Sequence, residues 1–442
     1  MTQNSFSDLG LAEPILRALH AKKYVTPTPI QAKAIPELLA GKDVLGIAQT
    51  GTGKTAAFAL PILNKLFRHE PDVRSRGARA LILAPTRELA IQIGDEIRAY
   101  GKNMHLRHAV IFGGVSQNAQ VNTLTRGVDI LVATPGRLLD LMNQRHVKLG
   151  AIEFFVLDEA DRMLDMGFVR DVRKIASAIP KKRQSLLFSA TMPADIAKLS
   201  GELLNDPVRV EVTPQATPVE RIDQQVHHVE TNAKIPLLAD ILADSSLSRV
   251  IVFTRTKHRA NKVADQLERR GINADAIHGN KSQGARQRAL KRFRDGESRV
   301  LVATDIAARG IDVDGVSHVI NFELPNIPDS YVHRIGRTAR AGASGMAVSF
   351  CDSTERPYLR DIERLIGSRL TVIGDEPAYR APEKASANSG HPNNANGKPG
   401  NKPGRKRNRS RNRRGAPGGN PGNNHGGGNQ GGNRNGARRR AA

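Results

Sequence analysis

Short apolar runs separated by amphipathic segments, in two successive series, constrain the fold of this chain more than any other feature. In the first series the runs are residues 43–48, 80–84, 108–112, 129–133, 154–157 and 185–188, with helix-like stretches such as 55–67, 88–100 and 194–204 between them. Strands written as continuous apolar runs are buried on both faces, the condition of a parallel sheet covered by helices. The second series begins near Val226, with runs at 249–253, 274–277, 300–303, 318–321 and 347–351 and helices that include 257–270, 283–293 and 355–365. Between the series, residues 212–219 read VTPQATPV, whose two prolines and two threonines suit a linker. The expectation is an α/β chain of two parallel-sheet domains, 1–207 and 221–370, joined by a linker at 208–220. A length of 442 residues, more than one hydrophobic core usually supports, agrees with two domains.

The alternation stops near Ala381. From there to Ala442 the chain holds 14 Lys or Arg against the single acid Glu383, with 14 glycines and almost no branched aliphatics. Such a segment buries too little apolar surface to offset its ordering entropy, so 371–442 is expected to be a disordered basic tail rich in Gly, Asn and Arg. Its KRNRSRNRR cluster and terminal RRR favour RNA contact over a merely solubilising role. The whole chain carries +24, and before Ala381 there are still 53 basic against 42 acidic residues, so a polyanionic partner is expected. Cys351 is the one cysteine, which excludes an intrachain disulfide and suits a reducing compartment. Its place in the apolar run 347–351 makes it a buried strand residue rather than a nucleophile. The start MTQNSFSDLG has neither the basic nor the apolar part of a secretion signal, and no run of about 18 apolar residues occurs. A soluble cytoplasmic protein is the expectation.

Chemistry enters with Ala48, Gln49, Thr50, Gly51, Thr52, Gly53, Lys54 and Thr55, which follow an expected strand and open an expected helix. That context makes a phosphate-binding loop: Gly51 and Gly53 let backbone amides converge on phosphate oxygens, and the helix N-terminus adds its positive end. Lys54 reaches the terminal phosphates and the Thr55 hydroxyl suits magnesium. Ala48 departs from the general pattern, which starts with Gly. The apolar run 154–157 leads straight into Asp158, Glu159, Ala160 and Asp161. Carboxylates at the C-terminal end of such a strand sit where ligands bind in open α/β sheets. Asp158 suits a magnesium contact through water, and Glu159 suits orienting and deprotonating an attacking water. A lone acidic helix cap is the alternative, weakened by the phosphate loop upstream.

Together AQTGTGKT at 48–55 and DEAD at 158–161 resemble the DEAD-box ATP-dependent RNA helicases of superfamily 2. Other family motifs follow in order: YVTPTPIQ at 24–31, PTRELA at 85–90, Gly113-Gly114, TPGR at 134–137 and SAT at 189–191. The second half supplies IVFTR at 251–255, Gln283 with Arg286, Thr304-Asp305, ARGID at 308–312 and HRIGRTAR at 333–340. The resemblance covers roughly residues 5 to 370 and implies two tandem RecA-like domains. A narrower likeness is to the bacterial RhlE group, on LDMGF at 164–168, Thr256-Lys-His258 and IHGNKSQGAR at 277–286. Two positions depart from the family: Lys23 and Ala339 stand where glycines are usual.

The resemblance implies roles. Gln31 would select adenine through its amide, with Tyr24 and Phe6 as ring contacts, although both rings also suit plain packing. Arg337 and Arg340 would act as arginine fingers from the second domain, and a helix through 333–340 would put His333, Arg337 and Arg340 on one face. A basic RNA-facing helix is the bland alternative. Asp312 would contact the ribose. Asp161, Ser189, Thr191 and His333 would couple ATP state to strand separation, where ordinary strand-end capping by the hydroxyls is the alternative. Thr86, Arg87, Gly114, Thr134 and Arg137 resemble first-domain RNA contacts; Thr254, Arg255, Gln283, Arg286, Thr304 and Gly310 resemble those of the second. Such groups read phosphate and 2′-OH, so weak sequence preference is expected.

The implied cofactors are ATP and Mg2+, and the partner is structured or duplex RNA, without a membrane. The implied activity is RNA-dependent ATP hydrolysis coupled to local, non-processive unwinding, with ribosome assembly or RNA degradation as settings. Three alternatives remain: a DNA helicase of the same superfamily, an ATP-dependent RNA clamp with little unwinding, and an RNA-annealing chaperone working through the tail.

Overall fold

The first domain is built on strands that end, one after another, at the loops the sequence marked for chemistry. The structure, a computed structural model, describes residues 5–49, 51–68, 77–212, 222–308, 313, 315–339 and 345–374. Thr50, Gly310, Asp312, Arg340, most of the expected linker and the basic tail therefore lie outside the described residues.

After a 3-10 turn at Phe6–Leu9, the chain forms α1 (Glu13–Ala21), α2 (Pro29–Leu39), β1 (Val44–Ile47), α3 (Lys54–Arg68), β2 (Ala80–Leu83) and α4 (Arg87–Tyr100). It continues through β3 (His108–Ile111), α5 (Gln117–Thr125), β4 (Ile130–Ala133), α6 (Pro135–Asn143) and β5 (Phe154–Leu157). Then come α7 (Ala160–Asp165), α8 (Val169–Ser177), β6 (Gln184–Ser189), α9 (Ala194–Leu203) and β7 (Val208–Glu211). The strands lie in the order β3-β4-β2-β5-β6-β1-β7, every neighbour parallel. Alternate strand residues face opposite cores: Val44, Ile82, Val132 and Val156 one way, Leu45, Leu81, Leu131 and Phe155 the other. Each such buried side chain contributes roughly 1.5–3 kcal/mol relative to exposure.

The second domain repeats the plan with β8 (Ile222–His228), α10 (Lys234–Leu242), β9 (Val250–Thr254), α11 (Lys257–Glu268), β10 (Ala274–Ile277), α12 (Gln283–Asp295) and β11 (Val300–Thr304). The remaining elements are α13 (Asp305–Ala308), β12 (His318–Asn321), α14 (Pro328–Ile335), β13 (Gly345–Cys351), α15 (Arg356–Ile366) and β14 (Thr371–Val372). Its sheet runs β10-β11-β9-β12-β13-β8-β14, strand for strand the order of the first. Both sheets belong to one unit, Met1–Ala378.

Three strands differ from the sequence reading. Residues 208–211, assigned above to the linker, pair with β1 and close the edge of the first sheet. β8 was not anticipated, and β14, at Thr371–Val372, is an ordered strand inside the range expected to be disordered tail. β7 and β14 are edge strands with exposed residues, and β8, paired on both sides, is only partly covered on its faces, so all three carry polar residues and lack a continuous apolar run. Cys351 is buried at the end of β13, where burial pushes its thiol up to about 12, as an unreactive core residue requires. No helix among the described residues is long and apolar enough to cross a membrane.

Candidate active site

The strand order divides the C-terminal edge of the first sheet into two halves. β1, β6 and β5 are neighbours and end in the phosphate loop, in Ser189 and in Asp158; β2, β4 and β3 end next to Thr86, Thr134 and Gly113. One half gathers the nucleotide residues and the other the RNA candidates.

On the nucleotide side, a cavity of about 560 Å3 is lined by Phe6, Tyr24, Gln31, Gly51, Gly53, Lys54, Thr55, Asp158 and Glu159. Lys23, Glu96 and Tyr100 complete part of its wall. Gly51 and Gly53 both have left-handed backbone, φ +83° and +88°. A Cβ on Gly53 would lie 2.3 Å from the Gln31 side-chain nitrogen, so only glycine fits. The close approach has a purpose: the Gln31 amide donates to the Gly53 carbonyl at 3.1 Å while its oxygen accepts the Thr28 amide at 2.9 Å. The side chain that would read adenine thus ties α2 to the phosphate loop. Lys54, almost fully buried, donates to the Ala48 carbonyl at 2.8 Å, and the Thr52 hydroxyl donates to the Gln49 carbonyl at 2.7 Å.

Asp158 and Glu159 are both buried, and Glu159 turns the chain with φ +54° before α7. Burial pushes the Asp158 carboxyl well above its usual range, against the pull of Lys54. Burial acts on Glu159 in the same sense, but Arg162, Lys54 and Arg337 together outweigh it and hold that carboxyl below its usual range. Glu159 forms an ion pair with Arg162. Asp161 is bound to the end of β6: its carboxylate accepts the Ala190 amide at 3.1 Å, the Thr191 amide at 3.0 Å and the Thr191 hydroxyl at 3.1 Å. The Ser189 hydroxyl accepts the Asp161 amide at 3.2 Å.

On the other half of the edge, a cleft of about 500 Å3 is lined by Thr86, Arg87, Thr134 and Arg137 from the first domain and Arg286 from the second. Gly114 (φ +78°) leaves room for the Arg87 guanidinium, 2.1 Å from where a Cβ would be. Glu88 bridges the domains, accepting the Gln283 amide at 2.9 Å and pairing with Arg286 at 2.9 Å. Arg87 donates to the Gln283 oxygen at 3.5 Å.

The comparisons with known proteins agree with this geometry. The family profile described as DEAD/DEAH box helicase matches residues 28–199, and that described as helicase conserved C-terminal domain matches residues 233–342. The chain is 43% identical over 376 residues to the ATP-dependent RNA helicase CshA of Limosilactobacillus reuteri, which covers 85% of this chain and 75% of that protein. It is also 43% identical over 360 residues to the DEAD-box ATP-dependent RNA helicase CshA of Bacillus subtilis, covering 81% and 72%. The chain belongs to the DEAD-box ATP-dependent RNA helicases. Among solved structures the helicase resembles S. cerevisiae Dbp5 bound to RNA and ADP BeF3, with TM-score 0.73, 33% identity and coverage of 84% of this chain and 95% of that one. It also resembles the DEAD-box helicase Mss116 bound to ssRNA and UDP-BeF, with TM-score 0.75, 30% identity and coverage of 85% and 81%. Its two domains are tandem RecA-like domains.

Some candidate residues of the helicase are placed differently from the expectation. α14 ends at Ile335 with Gly336 as its cap, so His333 and Arg337 do not share a helix face. Arg337 instead folds back, its Nε donating to the His333 carbonyl at 3.2 Å. Thr254, Arg255 and Thr304 are absent from the lining of the 500 Å3 cleft. Thr254 is buried and donates to the Thr256 carbonyl, and Thr304 is its neighbour in register. Arg255 lies between Glu323 and Glu355, 3.3 Å from the latter.

Residues without an assigned role also matter. Arg334 is buried and grips Asp305 with two hydrogen bonds, 2.5 and 2.8 Å, while donating to the Glu323 carbonyl at 2.6 Å. Glu88 carries the ordinary signal of an acid in the first turn of a helix, which gives no hint of a partner nearly 200 residues away.

Proposed function

We propose that this helicase binds ATP with Mg2+ in the 560 Å3 cavity and couples its hydrolysis to local, non-processive unwinding of RNA held along the 500 Å3 cleft. One observation carries the reading: Arg162, the ion-pair partner of Glu159 in the first domain, lines one narrow gap with Arg337 of the second. An active site split in this way is complete only when the domains meet, so ATP and RNA favour each other's binding.

The residues fit the ion. Among the described residues no cluster of three or more His, Cys, Asp or Glu is placed to hold a metal. Thr55 and Asp158 share the cavity as hard oxygen donors, which suits an ion that keeps waters and binds through phosphates. Bound there, Mg2+ would neutralise charge on the phosphates. Lys54 holds the terminal phosphates, Glu159 orients the water and receives its proton, and Gln31 with Tyr24 and Phe6 selects adenine. Arg337, with Arg340, stabilises charge on the transferring phosphoryl group. Asp312 contacts ribose. Asp161, Ser189, Thr191 and His333 relay nucleotide state to the RNA cleft.

Thr86, Arg87, Gly114, Thr134, Arg137, Gln283 and Arg286 line or adjoin the path for RNA backbone. Arg255, Thr304 and Gly310 would extend it on the second domain, whereas Thr254, buried and bound to the Thr256 carbonyl, would support that edge from behind. The basic tail adds affinity without sequence preference. Within the family we place the chain near the RhlE group, in a reducing cytoplasm, serving ribosome assembly or RNA turnover.

Steady-state ATPase measured with poly(U) RNA, with DNA and with neither tests the core of this reading. The expected outcome is strong stimulation by RNA alone, abolished in Lys54→Ala. Turnover indifferent to RNA would reject it, and annealing that survives Lys54→Ala but needs the tail would favour the chaperone reading.

A further inference from the structure

The functional reading leaves Arg162 without a task, although it is the first residue after the DEAD tetrad. Its side chain and that of Glu159 are 7% and 5% exposed, and they are paired with each other. Glu159 lines the nucleotide cavity. Arg162 lines the gap on the other side, facing Phe253, Asp305, His333, Arg334 and Arg337 of the second domain. That gap is only about 10 Å3, room for about one water. Arg162 therefore connects the carboxylate of the ATP site to the surface that delivers Arg337.

A carboxylate engaged with a guanidinium has lone pairs committed away from any attacking water. Across this short span Arg162 pairs with Glu159 on one side and lines a gap with Arg337 of the second domain on the other. Asp161, the other acid of the first turn, is turned away and committed to the Ala190 and Thr191 amides.

We infer that Arg162 is a positioning residue that restrains the Glu159 carboxylate while RNA is absent, even with Arg337 in the same gap, and releases it when bound RNA draws the two domains into their active arrangement. It thereby lowers futile ATP hydrolysis and sets the ratio of RNA-stimulated to RNA-free turnover. The inference rests on the proposed role of Glu159 as the group that orients water.

The test uses full-length protein, ATP and poly(U) RNA, with Arg162→Gln, Arg162→Lys and Glu159→Gln compared under the same conditions. Arg162→Gln should raise RNA-free turnover about tenfold, the size expected for losing one charge-assisted hydrogen bond, with RNA-saturated turnover and KM for ATP within about twofold of wild type. Arg162→Lys keeps the charge without the planar fork and should raise RNA-free turnover about threefold. Unchanged ratios of stimulated to RNA-free turnover in these variants, or a parallel loss of both, would overturn the inference. Where the Gln variant does not fold, as a thermal melt would reveal, the Lys variant decides alone by the same ratio. Glu159→Gln separates the two levels: if it keeps RNA-stimulated turnover, the assignment of Glu159 itself falls. If it is inactive while the Arg162 variants behave as wild type, only the restraint falls.

Discussion

At the residue scale, the two departures from the family pattern acquire a physical meaning. Lys23 and Ala339 have φ +59° and +55°, the left-handed region in which a Cβ is disfavoured. Glycine is usual at these places because it alone adopts that conformation without cost. The chain accepts strain of about 1–2 kcal/mol at each such position, partly offset by the lower entropy of a non-glycine residue in the unfolded state. Ala339→Gly is therefore expected to be neutral or to stabilise by about 0.5 kcal/mol, whereas most glycine substitutions destabilise. Urea unfolding measures it, and a clear loss of stability would show that the packing of Ala339 against the core around Tyr331 and Ile335 outweighs the strain. Gln31 is the second case. Its amide spans from the Thr28 amide to the Gly53 carbonyl, and asparagine is one methylene too short to reach both. Gln31→Asn should raise KM for ATP and lower the thermal stability of the nucleotide-free protein by about 1 kcal/mol, one lost hydrogen bond. An adenine contact alone would change KM and leave the unliganded melt untouched.

At the element scale, α10 is fastened to the turn between β13 and α15 by charge. Lys234, 1% exposed, pairs with Glu355 and, at 3.2 Å, with Asp352. The same Glu355 receives the Leu324 amide and Arg255, so an RNA-contact candidate hangs on this network. Lys234→Met removes the cation shared by two buried carboxylates, leaving Glu355 with Arg255 at 3.3 Å, and should cost about 3 kcal/mol, read by urea unfolding. Burial pushes Asp352 up, but the Thr354 hydroxyl and Lys234 outweigh it and hold the carboxyl down at about 2. A depressed carboxyl stabilises the fold above its unfolded pKa, and that contribution is lost as pH falls through the folded value. The second domain of the wild type should accordingly lose stability between about pH 4 and pH 2. The Lys234→Met variant should lose less over the same range.

At the scale of the whole molecule, the charge distribution separates the folded body from the tail. Fourteen Lys or Arg after residue 380 against one acid provide a sequence-independent grip on phosphate. Truncation to residues 1–378 should weaken RNA binding about tenfold at low salt and flatten the dependence of affinity on salt. Titration of poly(U) RNA at several salt concentrations measures both, and equal salt slopes for the two forms would remove the tail from the RNA interface. Much of the rest was legible beforehand. The inner strands of both sheets follow the apolar runs, and the phosphate loop and DEAD carboxylates stand at strand ends because those ends are encoded within a few residues. β7, β8 and β14 were not legible: β7 and β14 are short edge strands half in water, and β8, although paired on both sides, carries IDQQVHH with most of its side chains only partly covered, so none shows a continuous apolar run.

The sequence by itself determined two parallel-sheet α/β domains, a phosphate loop after β1, and carboxylates after β5. Local periodicity and backbone preference act over a few residues, and those features need nothing more. Only the tertiary structure decided that Glu88 meets Arg286, that Arg162 stands between Glu159 and Arg337, and that α14 stops before Arg337. Those outcomes depend on partners far along the chain or on a helix cap set by the surrounding packing, and no spacing within one segment encodes them.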